Sequence, residues 1–60
     1  MEKKILNALG NEKMTMIEII FKASWKEYTR EVQTTVNEMV ENGQLVRTWD
    51  ESGMAFYEKK

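Results

Sequence analysis

A chain of 60 residues holds at most one domain, and at that size folding buries only about 60% of the surface the unfolded chain exposes, so the core must be thin. Without cysteine or histidine it has no disulfides, no thiolate or imidazole metal ligands and none of the usual nucleophile–base pairs, so neither a cofactor nor an enzymatic activity is expected. A net charge of −1 and a pI near 5.4 argue against strong nonspecific attraction to polyanions, although the sum of charges does not say how they are distributed.

In chain order, Ile5, Leu6, Ala8 and Leu9 occupy one side of a short helix running from Glu2 to about Asn11, with Lys3, Lys4 and Asn7 on the other. This opening is too amphipathic for a secretory signal, and no apolar run approaches the ~20 residues of a membrane span. The expectation is a soluble, cytoplasmic protein with no membrane partner. Gly10-Asn11 stops the helix, Glu12-Lys13-Met14 forms a brief extended link, and Thr15 has the side chain to cap a second helix.

That second helix, about Met16 to Ala23, is apolar over more than half its circumference, with only Glu18 and Lys22 clearly polar. Such a helix is buried on more than one side. Two coverings are open: a central position inside its own chain, or a homodimer contact through helix two or helix one.

The longest patterned stretch is Ser24 to Gly43, read as the third helix. Ser24 and Glu27 have the spacing of a capping box, and Gly43 supplies the left-handed residue after the last turn. At 100° per residue, Trp25, Tyr28, Thr35, Val36 and Met39 fall within about 60° of Val32, which predicts a buried face. The opposite face is sorted by charge. Lys26, Arg30, Gln33 and Asn37 lie between roughly 100° and 160°, and Glu27, Glu31 and Glu38 between roughly 220° and 260°, with Thr34 and Glu41 between the groups. One reading is a solvated polar face; the other is that Lys, Arg, Gln and Asn share a stripe whose donors match phosphates and purine edges in a major groove.

After Gly43 the period changes. Leu45–Trp49 and Met54–Tyr57 are rich in β-branched and aromatic residues, and Asp50-Glu51-Ser52-Gly53 between them has turn composition, which predicts a β-hairpin. It must lay one face on the helices, with Leu45, Val46 and Phe56 as the expected contacts. Trp25, Trp49, Phe56 and Tyr57 are read as packing groups rather than stacking platforms for single strands.

The order helix, extended link, helix, longer helix, hairpin resembles the winged helix-turn-helix family of small bacterial, archaeal and phage regulators. The resemblance rests on Val32, Val36, Met39, Val40, Gly43, Leu45 and Val46, followed by Gly53 and Phe56-Tyr57, and covers essentially the whole chain. It implies an α+β, mainly α architecture over residues 1–60, with three helices and a two-stranded wing, in which the third helix enters the major groove. Carried onto matching positions, it implies that Thr29, Arg30, Gln33, Thr34 and Asn37 read bases, that Lys26 and Tyr28 touch phosphates, and that Arg47 serves the wing with Lys59 and Lys60. Two departures stand out: the turn Ala23-Ser24-Trp25-Lys26 lacks the usual glycine, and Asp50 and Glu51 at the wing tip repel phosphates. The functional expectation is a sequence-specific transcriptional regulator, dimeric on double-stranded DNA, with no small-molecule ligand. The alternative is a protein-interaction module, an antirepressor or adaptor of the same fold that does not bind DNA.

Overall fold

The computed structural model describes residues 1–23 and 29–60. Over these residues the chain forms α1 (Glu2–Leu9), α2 (Met16–Ala23), α3 (Thr29–Glu41), and the strands β1 (Leu45–Trp49) and β2 (Ala55–Lys59) of an antiparallel hairpin. This is the α+β, mainly helical order expected from the sequence. The capping box expected at Ser24 and Glu27 and the burial expected of Trp25 and Tyr28 fall on residues outside the described ones.

Local chemistry accounts for the boundaries. Helix α1 ends two residues before the expected Asn11, because Gly10 takes φ 55° and its amide closes on the Leu6 carbonyl. Helix α2 begins with a reciprocal cap: the Thr15 amide and hydroxyl both donate to Glu18 Oε1 (2.9 and 3.1 Å), and the Glu18 amide donates to Thr15 Oγ1 at 3.4 Å. The amide and then the hydroxyl of Thr15, with Lys22 one turn on, hold the Glu18 carboxyl below its ordinary pKa. Helix α3 ends in a Schellman motif. Gly43 sits at φ 86°, its amide donates to the Val40 carbonyl, and the Gln44 amide reaches back to Met39.

The hairpin turn is held by one carboxylate. Asp50 Oδ1 accepts from the Ser52 hydroxyl (2.7 Å) and from the Ser52 and Met54 amides (2.9 Å each), bonds that lower its pKa. The Asp50 amide pairs with the Met54 carbonyl, and Gly53 at φ 87° closes the loop. Thus Met54, expected in the second strand, belongs to the turn, and β2 extends instead to Lys59.

The core draws on every element: Ile5 and Leu9 of α1, Ile19 and Ile20 of α2, Val32, Val36 and Met39 of α3, Leu45 and Tyr57 of the hairpin, and Met14 of the link. The predicted inward arc of α3 is realised at Val32, Val36 and Met39, with Thr35 and Val40 half-buried beside it. Met14 is more than a spacer. Its amide and carbonyl exchange hydrogen bonds with Tyr57 (2.9 and 2.7 Å), so the link adds a one-residue third rung to the hairpin.

Two packing expectations change. The hairpin faces the helices with Leu45 and Tyr57, whereas Val46 and Phe56 point to the other side and are half-buried, Phe56 beneath the Lys13 ammonium at 5.6 Å. Leu45 and Val46 are neighbours in one strand, so only one of them can face the helices, and the register Arg47↔Tyr57 puts Tyr57 on the side of Leu45. Helix α2 buries Ile19 and Ile20 but leaves Ile17 66% and Phe21 61% exposed. The other large exposed apolar groups among the described residues are Trp49 and Met54, which flank the hairpin turn, so the packing role expected of Trp49 is not met.

Candidate nucleic-acid interface

Helix α3 positions the candidate side chains. Burial of Val32, Val36 and Met39 turns the opposite arc outward, where Arg30, Gln33, Thr34 and Asn37 are exposed, and Thr29 is exposed at the border of the buried face. Glu31 and Glu38 are exposed on the same helix along the other flank, and Glu41 is exposed between the two groups. Lys26 and Tyr28, expected to touch phosphates, lie outside the described residues.

Arg47 is placed differently from a free wing cation. It is half-buried on β1, on the strand face that carries Leu45 and looks toward the helices. Its guanidinium lies 5.2 Å from the centre of the Tyr57 ring, its Nε donates to the Tyr57 hydroxyl at 3.2 Å, and its Nη2 donates to Asn37 Oδ1 of α3. Tyr57 is itself pinned by its backbone bonds to Met14 and by burial. A continuous relay therefore runs from the core through Tyr57 and Arg47 to Asn37.

That relay fixes the side of α3 on which the hairpin lies. Asn37 and Gln33 border it, and the Glu31 and Glu38 strip is on the far flank. Two residues nearer the turn than Arg47, on the same strand face, Trp49 stands 63% exposed. Lys59 and Lys60 are exposed at the far end of the hairpin from its turn. At the turn, the Asp50 charge is partly satisfied by the donors that converge on it, whereas Glu51 is simply exposed.

Sequence reasoning missed Trp49 as an exposed group, and it missed the Asn37–Arg47–Tyr57 chain. A signal for the chain exists in hindsight: Arg47 and Tyr57 are cross-strand partners in a hairpin closed at Asp50–Gly53. Nothing along the sequence, however, marks Asn37 as the third member.

Among the described residues there is no cluster of acidic side chains that could hold a metal ion, and no polar or charged group is buried in the core. A shallow groove between α1 and α2 is lined by Lys4, Asn7, Ala8, Lys22 and Ala23. Its open shape and basic rim suit a surface contact better than an enclosed ligand. No described helix is long and apolar enough to cross a membrane. Comparison with models of known protein families, with curated proteins and with solved structures finds no match.

Proposed function

We propose that the protein is a sequence-specific DNA-binding regulator of winged-helix type, with α3 in the major groove and the hairpin beside it. The observation that carries this reading is the Arg47–Asn37 hydrogen bond, which seats the hairpin along the Arg30/Gln33/Asn37 side of α3 and away from its glutamates. Donors able to match phosphates and base edges and the exposed Trp49 then share one aspect of the molecule, despite the net charge of −1. In this arrangement Arg30, Gln33, Thr34 and Asn37 read bases, Thr29 and the N-terminal end of α3 border the backbone, and Trp49 lies against the sugar edge of the adjoining groove. The acidic turn at Asp50 and Glu51 projects beyond the duplex. Dimerisation through the exposed Ile17/Phe21 stripe of α2 belongs to the same proposal, because two copies reading a palindrome gain the affinity one small module lacks.

The test is selection from a randomised duplex library at about 50 mM salt, then titration of the selected site. Contact with about four to six phosphates should weaken binding roughly 10²- to 10³-fold between about 50 and 200 mM salt. Arg30→Ala should remove retention with the fold intact. Failure to retain any duplex at low salt ends the reading. The protein-interaction module then takes its place, favoured by the apolar Ile17/Phe21 stripe, and Ile17→Ser with Phe21→Ser would be its diagnostic variants.

A further inference from the structure

We propose that Arg47 is a positioning residue for base reading: it holds the Asn37 amide in a single orientation, so that Asn37 selects adenine, and it does not itself serve as a phosphate contact. This rests on the DNA-binding reading above and gives one of its side chains a base preference.

The chemistry of the pair dictates the orientation. A guanidinium has donors only, so the Asn37 atom facing Arg47 Nη2 must be the carbonyl oxygen, and the amino group must lie on the other side. The amide cannot flip without placing donor against donor. A carbonyl oxygen has two lone pairs, and Arg47 occupies one. Asn37, which is exposed, therefore keeps one acceptor site next to its amino donors. Acceptor beside donor is the complement of the adenine N6-amino and N7 edge, whereas guanine offers two acceptors there. A cation on the oxygen also polarises the amide and strengthens its N–H groups as donors.

Arg47 is well held for this task and poorly placed for another. It lies half-buried over the Tyr57 ring, and its Nε is engaged by the Tyr57 hydroxyl. Tyr57 is anchored in the core and bonded through its backbone to Met14, so the guanidinium is braced from below and aimed at α3. A phosphate would have to draw it off both partners. Lysine, with a compact ammonium on a flexible stem, cannot reproduce the fork that bonds Tyr57 and Asn37 together.

The experiment has two arms, one of them free of DNA. In the first, urea unfolding of Arg47→Met, Asn37→Ala and the double variant should show non-additivity, with the double variant's midpoint shifted by less than the sum of the single shifts. Additive shifts overturn the pairing. In the second, duplex selection is repeated with Arg47→Lys and Arg47→Met. The wild type should prefer adenine at one position by about tenfold or more, the preference should flatten in both variants, and the logarithmic salt slope should stay unchanged. If Arg47→Lys keeps the base preference and Arg47→Met lowers the salt slope by about one, Arg47 is a phosphate contact and the proposal is overturned. Retention of DNA without any adenine preference that depends on Asn37 overturns it while leaving DNA binding standing. Absence of all DNA retention overturns both, whatever the stability arm shows.

Discussion

Helix α2 carries a controlled experiment on what the fold covers, because Ile17 and Ile19 are the same residue type two positions apart in one helix, at 66% and 0% exposure. Isoleucine to alanine deletes a methyl and an ethyl group. At about 0.8 kcal/mol per buried carbon, Ile19→Ala loses about 2.4 kcal/mol of transfer free energy, and the cavity left in the core raises the cost to about 3–4 kcal/mol. A domain of this size has a total stability of about 3–9 kcal/mol, so this one change removes a third of it or more. Ile17→Ala loses only the third of its surface that is covered, about 0.8 kcal/mol, and regains about half of that because alanine is the better helix former. Its net effect should be below about 0.5 kcal/mol. Urea unfolding monitored by circular dichroism measures both: with a slope near 1 kcal/mol/M, the midpoint should fall by about 3 M for Ile19→Ala and by less than about 0.5 M for Ile17→Ala. Equal losses at the two sites would refute the placement of α2. A concentration-dependent loss at Ile17 alone would instead locate a contact between copies on that stripe.

The caps, the turn and the relay set further outcomes. Glu18 and Asp50 both have folded-state pKa values below their ordinary ones, so their contributions are present above the unfolded carboxylate pKa and are lost as pH falls through the depressed folded values. Unfolding midpoints measured from pH 7 down to pH 2 should therefore decline in the acid range, and Glu18→Gln with Asp50→Asn should flatten that decline. Thr15→Ala removes the side-chain half of the α2 cap and should cost about 1 kcal/mol, read as a lower thermal midpoint with the fold retained. Gly43→Ala meets no atom within 4 Å, so its cost of about 1–2 kcal/mol comes from the left-handed backbone alone; Gly43→Asn should recover part of it. Tyr57→Phe should leave the core packed but release Arg47 Nε, costing about 1 kcal/mol and broadening the base preference at the Asn37 position.

How far the site could be read in advance depended on the kind of pattern involved. The outward arc of α3 came from the spacing of Val32, Val36 and Met39, since a helix with one buried stripe must expose the opposite one, and Arg30, Gln33, Thr34 and Asn37 are exposed accordingly. Arg47 illustrates the limit. As a cation near a turn it reads as a solvent-facing wing residue, yet strand parity places it on the face that meets the helices, where Tyr57 and Asn37 receive it. Assigning Phe56 to the core failed for the same reason. Composition cannot choose between adjacent aromatics of opposite parity, and here the pairing of Tyr57 with Arg47 and Met14 makes the choice.

Over the described residues the amino-acid order alone determined which segments are helical and which extended, though not every boundary, because periodicity, capping side chains and the positive φ of Gly43 and Gly53 act within a few residues of chain. Only the tertiary structure decided which flank of the apolar second helix is covered, which hairpin face turns inward, and that Arg47 is engaged by Asn37 rather than left to solvent. Those outcomes depend on what a neighbouring element presents across space, and local spacing carries no record of that.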